Sequence, residues 1–229
     1  MSDNSTAGTL WLKARLRNMK ITKHGHACLE LENDGKRAFI DPGFYTEDVS
    51  SAKEVVALVI THAHDDHCFE AQAAGLLANN PGLKIFGTSE VAAKLSSLPV
   101  TTVYHGDFYQ VEGFSFEFFG DMHQIIHQSI PLIQNTGVMV NDALYYPGDS
   151  YTTPEKKVKV LACPTSAPWL KIGDVMDFIS AVRPEKSFAT HNALLSERGH
   201  ELNNARVKQV TEEYGGSFTY LKVGDSLEI

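Results

Sequence analysis

Apolar and polar positions alternate with a period of two through short runs over much of this chain, and a few longer runs carry helical spacing. Met19 to His24 and Ala27 to Glu32 predict strands, broken at Gly25. Asn33-Asp34-Gly35 is a hairpin signal, and Lys36 to Ile40 returns as a strand ending in Asp41-Pro42-Gly43. Val55 to Ile60 is a continuous apolar run, the mark of a buried strand. Helical spacing follows from Glu70 to Leu77 and stops at Asn79-Asn80-Pro81-Gly82. Leu83 to Phe86 is a strand, and Thr88-Ser89-Glu90 opens a short helix closed by Pro99. Strands are then expected at 100–104, 108–111 and 114–119, with a histidine-bearing loop from Gly120 to Pro131. A second hairpin joins 137–140 to 143–146 around Asn141-Asp142. A strand at 158–162, a helix at 174–182, a strand at 187–190 and a helix at 199–214 precede closing strands at 217–222 and 226–229.

Strand-rich stretches followed by strand-helix-strand units thus occur in both halves. That order predicts an α/β (α+β) fold of two packed sheets with helices outside. Two short echoes support it. The hairpin ending in Asp41-Pro42-Gly43 resembles the one ending in Pro147-Gly148-Asp149, and strand-Thr61-His62 resembles strand-Thr190-His191.

Composition narrows the picture. At 229 residues and 43% hydrophobic, the chain is expected to form one domain over 19–229 behind an N-terminal extension, 1–18. Leu10 to Arg17 is short, basic and amphipathic, and is read as packing on its own domain or extending into the first strand; contact with a partner subunit or an anionic surface is the other reading. A net charge of −8 without a basic stripe argues against an extended nucleic-acid surface. No apolar stretch is long enough to span a bilayer and no signal-peptide core precedes the first strand, so no membrane partner is expected. Cys28, Cys68 and Cys163 are odd in number and form no Cys-x-x-Cys, which fits a reducing, cytoplasmic location. A homo-oligomer is compatible with all of this.

The chemistry concentrates in Thr61-His62-Ala63-His64-Asp65-Asp66-His67, directly behind the buried run. Imidazoles and carboxylates are ligands for zinc, iron or manganese. In an extended segment His62 and His64 point to one side. Asp65 and Asp66 carry N-terminal helix character, which makes Asp66 and His67 adjacent helical residues about 100° apart. One short stretch therefore suggests two ions. A pair of ions needs further ligands, best placed at strand ends. His123, Asp149 and His191 each follow an apolar strand and precede a loop.

His62-x-His64-x-Asp66-His67 followed by His123, Asp149 and His191 resembles the metal-ligand series of the metallo-β-lactamase fold superfamily, from about Met19 to about His191. His24-Gly25-His26-Ala27-Cys28 and Asp41-Pro42-Gly43 resemble its branch of ascorbate-6-phosphate lactonase and related metal-dependent hydrolases. The resemblance implies a four-layer αββα sandwich. It implies one ion on His62, His64 and His123, a second on Asp66, His67 and His191, Asp149 between them, and Asp41 supporting from behind. Family members often carry a Pro-Gly-His-Ser/Thr-like stretch where this chain has Asp121-Met122-His123-Gln124 and then His127. His123 lies nearer the strand end and is preferred. His127 then faces substrate, supports a ligand or is a plain loop residue. His26 lines the cleft or is a packed histidine.

The implied cofactor is two divalent ions, zinc first, manganese or iron next. The implied reaction is attack by a metal-activated hydroxide on a small ester, lactone, amide or phosphoester, with Asp66, His127 and His26 as candidate catalytic residues. Two dications against Asp66, Asp149 and hydroxide leave about +1, which favours an anionic or polarised oxygen on a small-molecule substrate. Rival readings are a compact phosphodiesterase or nuclease, an iron-dependent oxidoreductase of the same fold, and a non-catalytic metal-binding protein.

Overall fold

The computed structural model describes residues 19–229. The reading of 1–18 as an extension lies outside the described residues. Three antiparallel strands come first among the described residues: β1 (Lys20–Lys23), β2 (Leu29–Asn33) and β3 (Lys36–Ile40). Asp34 and Gly35 join the last two with φ of 55° and 75°, the left-handed pair that a tight hairpin needs. Parallel strands β4 (Val55–Ile60), β5 (Lys84–Gly87) and β6 (Val100–Thr102) extend the sheet from β3. Helix α1 (Glu70–Asn79) crosses from β4 to β5, and α2 (Ser89–Lys94) from β5 to β6. The Thr88 side chain caps α2, accepting the Val91 N–H at 3.4 Å.

The second sheet repeats the plan. Strands β7 (Phe108–Val111), β8 (Phe114–Phe119), β9 (Gly137–Val140) and β10 (Leu144–Tyr146) are antiparallel. Asn141 and Asp142, with φ of 52° and 49°, turn the β9–β10 hairpin. Strands β11 (Val160–Pro164), β12 (Lys186–Thr190) and β13 (Ser217–Phe218) then add in parallel, crossed by α3 (Ile172–Val182) and α4 (Glu197–Glu213). Strand β14 (Ser226–Glu228) pairs antiparallel with β1. The orders are β14-β1-β2-β3-β4-β5-β6 and β7-β8-β9-β10-β11-β12-β13. Each sheet therefore runs through three antiparallel pairings and then three parallel ones.

Two expectations change. The strand foreseen at 217–222 stops at Phe218, and the last strand crosses to close the first sheet. Left-handed Gly224 makes that crossing turn, its N–H donating to the Lys23 carbonyl at 2.8 Å. The echo of Thr61-His62 in Thr190-His191 is not a structural equivalence either. It joins β4 to β12, whereas β12 occupies the place of β5. The Asp41 and Asp149 echo does join equivalent strands, β3 and β10.

The layers follow from side-chain alternation. Ala57 and Val59 of β4 face the inter-sheet core with Phe116, Phe118 and Val138, while Leu58 and Ile60 face Ala73 and Leu76 of α1. Both faces are covered, hence the unbroken apolar run. On the other side, Tyr145, Leu161 and Cys163 pack under Val175 and Phe178 of α3 and Val207 of α4. The result is an αββα sandwich. Among the described residues no helix is long and apolar enough to cross a membrane.

Candidate metal centre

The site forms where β3, β4, β10 and β12 end. Beyond β4, residues 65–67 make a turn rather than the expected start of a helix. The N–H groups of His67 and Cys68 both donate to the His64 carbonyl, at 3.1 and 2.8 Å. Helix α1 begins three residues later, at Glu70, with no side-chain cap. The reason is docking against the Asp41-Pro42-Gly43 segment. The Phe44 N–H donates to the Asp65 carbonyl at 2.8 Å. A Cβ on Gly43 would stand 1.8 Å from the Asp66 carbonyl oxygen, so only glycine lets the two backbones meet.

This turn brings residues adjacent in sequence together with residues far away. Ligand nitrogens of His62, His64 and His123 lie within 4.8 Å of one another, and so do those of His67 and His191 with Asp66 and His26. Asp149 stands between the groups. Its Oδ2 is 3.4 Å from His123 Nε2, 3.9 Å from His62 Nε2 and 3.1 Å from His191 Nε2, and its Oδ1 is 3.3 Å from His67 Nε2. The Nε2 atoms of His62, His67, His123 and His191, and Asp149 Oδ1, are buried without a hydrogen-bond partner. Buried polar atoms are rarely left so. Five gathered around Asp149 suit bound cations, and the donor set of imidazoles and carboxylates suits divalent ones.

The opposite nitrogens explain the aim of these rings. His67 Nδ1 donates to Asp41 Oδ2 at 2.7 Å. His123 Nδ1 donates to the Gln124 carbonyl at 2.5 Å, and His191 Nδ1 to the Ser166 carbonyl at 2.6 Å. The Thr61 hydroxyl donates to Asp41 Oδ2 at 2.7 Å, so it accepts from His62 Nδ1 at 3.0 Å. With Nδ1–H committed, each neutral ring turns an Nε2 lone pair to the centre. Asp41, fully buried, also accepts the Thr61 N–H at 2.8 Å. Asp149 is held by the Trp169 indole N–H at 2.9 Å and by its own N–H on Asn135 Oδ1 at 2.9 Å. Sequence reasoning passed over Thr61 and Asn135; Thr61 lay inside the histidine-rich stretch, while Asn135 gave no signal.

Charge follows geometry. Burial disfavours a charged His191, but Asp149 and Asp66 outweigh it and push its pKa up to about 9. Burial opposes a charged His67 too, and Asp149 with Asp41 again reverses the direction. Burial, reinforced by the neighbouring histidines, drives His62 well below the ordinary histidine range, and His64 downward. Asp149 resists burial because His191 and His67 hold it ionised. On His67 and His191 a proton and a metal ion therefore compete for the same nitrogen.

His26 joins the cluster without a lone pair to give. The Ala193 N–H donates to its Nδ1 at 3.3 Å, so Nε2 carries the hydrogen and donates to Asp66 Oδ2 at 3.2 Å. Burial is the main reason its pKa falls to about 4. It is a neutral residue that positions Asp66. His127 is not brought in. It is exposed, with Nδ1 turned to Ser129, and stands outside every ligand group, contrary to the expectation that it serves catalysis. The reason is that the loop bends back at His123, whose N–H donates to the Ile133 carbonyl at 3.0 Å, leaving residues 125–132 on the surface side. His24 pairs with Glu30 at 2.9 Å, away from the centre.

Comparison with known proteins gives the same outline. Residues 20–191 match the beta-lactamase superfamily domain. Protein Rv0786c of Mycobacterium tuberculosis is 31% identical over 84% of this chain and 93% of its own length. The UPF0173 metal-dependent hydrolase ABC2731 of Shouchella clausii is 25% identical over 92% of this chain and all of its own length. Igni18, a metallo hydrolase from Ignicoccus hospitalis, has a similar fold, with a TM-score of 0.71 at 19% identity over 93% of this chain and 99% of its own.

Proposed function

This chain belongs to the beta-lactamase superfamily, and on that premise we propose that it is a metal-dependent hydrolase with a dinuclear centre. The observation that carries the reading is the set of buried, partnerless ligand atoms around Asp149. His62, His64 and His123 would hold one ion and Asp66, His67 and His191 the other, with Asp149 within reach of both. Zinc is the first candidate for this donor set, with manganese or iron as alternatives.

When bound, the ions supply a water activated near neutral pH and a Lewis acid for the substrate oxygen. The protein supplies the rest. Asp41 and Thr61 keep His62 and His67 as Nε2 donors to the centre. His191 and His26 hold Asp66 ionised and turned inward at the edge of an open cleft, where its carboxylate can accept a hydrogen bond from a bound water or substrate. The cysteines offer no alternative nucleophile. All three are buried, and burial pushes the Cys68 thiol up to about 12.

The test is elemental analysis of the purified chain with a panel of esters, lactones, amides and phosphodiesters, with and without chelator. About two ions per chain and chelator-sensitive hydrolysis are expected. Bound iron with a visible spectrum and no hydrolysis of any panel member would replace this reading with redox chemistry.

A further inference from the structure

The cleft beside the centre has a volume of about 610 Å³, the size of a small-ligand pocket. It opens on the side of Asp66 and His191, with His26 on its floor. Its wall is Phe44, Tyr45, Pro168 and Leu194. Three of these are large apolar side chains left substantially exposed, Phe44 at 62%, Tyr45 at 44% and Leu194 at 70%. Such residues gathered at a cavity mouth mark a binding surface rather than scattered exposure. Phe44 is propped edge-on against Phe69, with ring centroids 5.5 Å apart, so the wall is shaped before anything binds.

The charges around the cleft point the same way. Among the described residues the lining holds two carboxylates, Asp65 and Asp66, and no lysine or arginine. The nearby cation, Lys94, is committed to Asp65 and to the Ala63 carbonyl, both at 2.6 Å. The centre itself can neutralise charge that develops at the reacting atoms. A phosphate or carboxylate elsewhere on the substrate would meet apolar rings and two acidic groups, with the Tyr45 and Ser166 hydroxyls but no lysine or arginine of the described lining to receive it.

We propose that the substrate is a neutral ester or lactone whose apolar acyl portion lies against Phe44, Tyr45, Pro168 and Leu194, and which carries no remote anionic group. This deepens the hydrolase reading and rests on it. It also drops the anionic alternative for the substrate, which counted the charge of the centre but not that of its walls.

The experiment uses the full metal-loaded chain and 4-nitrophenyl esters with one leaving group. From acetate through valerate to octanoate, kcat/KM should rise about threefold to fourfold per methylene that reaches the wall. The hemiester of glutarate, matching valerate in length but ending in a carboxylate, should be slower than valerate by about tenfold or more. Phe44→Ala and Leu194→Ala, both at exposed positions, should flatten the length series. A flat series in the unaltered chain, or glutarate turned over as fast as valerate, overturns the proposal and leaves the hydrolase reading intact. Absence of chelator-sensitive turnover for every ester, and for the lactones, amides and phosphodiesters of the wider panel, overturns the hydrolase reading instead. The cleft chemistry is then decided by calorimetry with N-methylacetamide and N-methyloctanamide. Tighter binding of the longer amide, with a negative heat-capacity change that Phe44→Ala removes, supports an apolar site. Equal binding of the two overturns it.

Discussion

The two sheets share one plan of strand pairing, yet they meet the site in different ways. In the first, four site residues crowd into the single turn after β4: His62, His64, Asp66 and His67. In the second, they come singly, Asp149 after β10, His191 after β12 and His123 from the loop after β8. Support differs as well. His62 and His67 lean on a buried carboxylate, Asp41, whereas His123 and His191 lean on main-chain carbonyls. The sharpest contrast is between Asp41 and Asp149, which follow equivalent strands. Asp41 has its oxygens filled by the Thr61 N–H, the Thr61 hydroxyl and His67. Asp149 keeps Oδ1 free of any donor and turned to the centre. Equal places in a scaffold therefore do not make equal residues; the count of protein donors around each carboxylate decides whether it supports the site or faces the cation.

That contrast can be broken most severely at Asp149. Asp149→Asn keeps the shape and removes the charge, and we expect metal content to fall and hydrolysis to drop below detection while circular dichroism stays unchanged. If Asp149 were only a support, activity would survive. Asp41→Asn should do less. It leaves all the residues facing the centre in place but misdirects His67, so metal affinity should weaken about tenfold to a hundredfold in a chelator competition.

The pH dependence of the metal-stripped protein sharpens the comparison next. His191 has a folded pKa of about 9, above the ordinary 6.5, so its contribution to stability is complete below about 6.5 and is lost as pH rises through about 9. That loss amounts to about 3 kcal/mol at most and should appear in urea midpoints. Bound metal should abolish this slope, because the ion takes the place of the proton.

The second sheet's side-chain support is tested by Trp169→Phe. It removes the 2.9 Å indole bond to Asp149, and metal affinity should fall about tenfold, the lower end of the range expected for Asp41→Asn. His127→Ala should change kcat/KM by no more than about twofold, because the ring is exposed and outside the ligand groups. A loss of a hundredfold there would bring back the loop histidine that the fold left at the surface.

Much of the scaffold was legible in the chain itself. β3, β4, β7, β8 and β9 begin and end where alternation and turn residues put them. Both predicted hairpins form, one turning at Asp34-Gly35 and the other at Asn141-Asp142, since left-handed turn geometry is a property of a few adjacent residues. The donor types of the site were also readable, because they cluster behind one buried strand. Tertiary structure alone decided the rest. It bent the loop after His123 so that His127 lies at the surface, and fixed the tautomer of His26 through Ala193. It replaced a helix start at Asp65 with a turn against Gly43, and it sent β14 across to the first sheet. Each of those outcomes depends on groups that meet across the fold, and local pattern carries no term for the partner. A strand needs its neighbours' hydrogen bonds but reports its own alternation; a ligand reports only its type until the opposite sheet supplies what it faces.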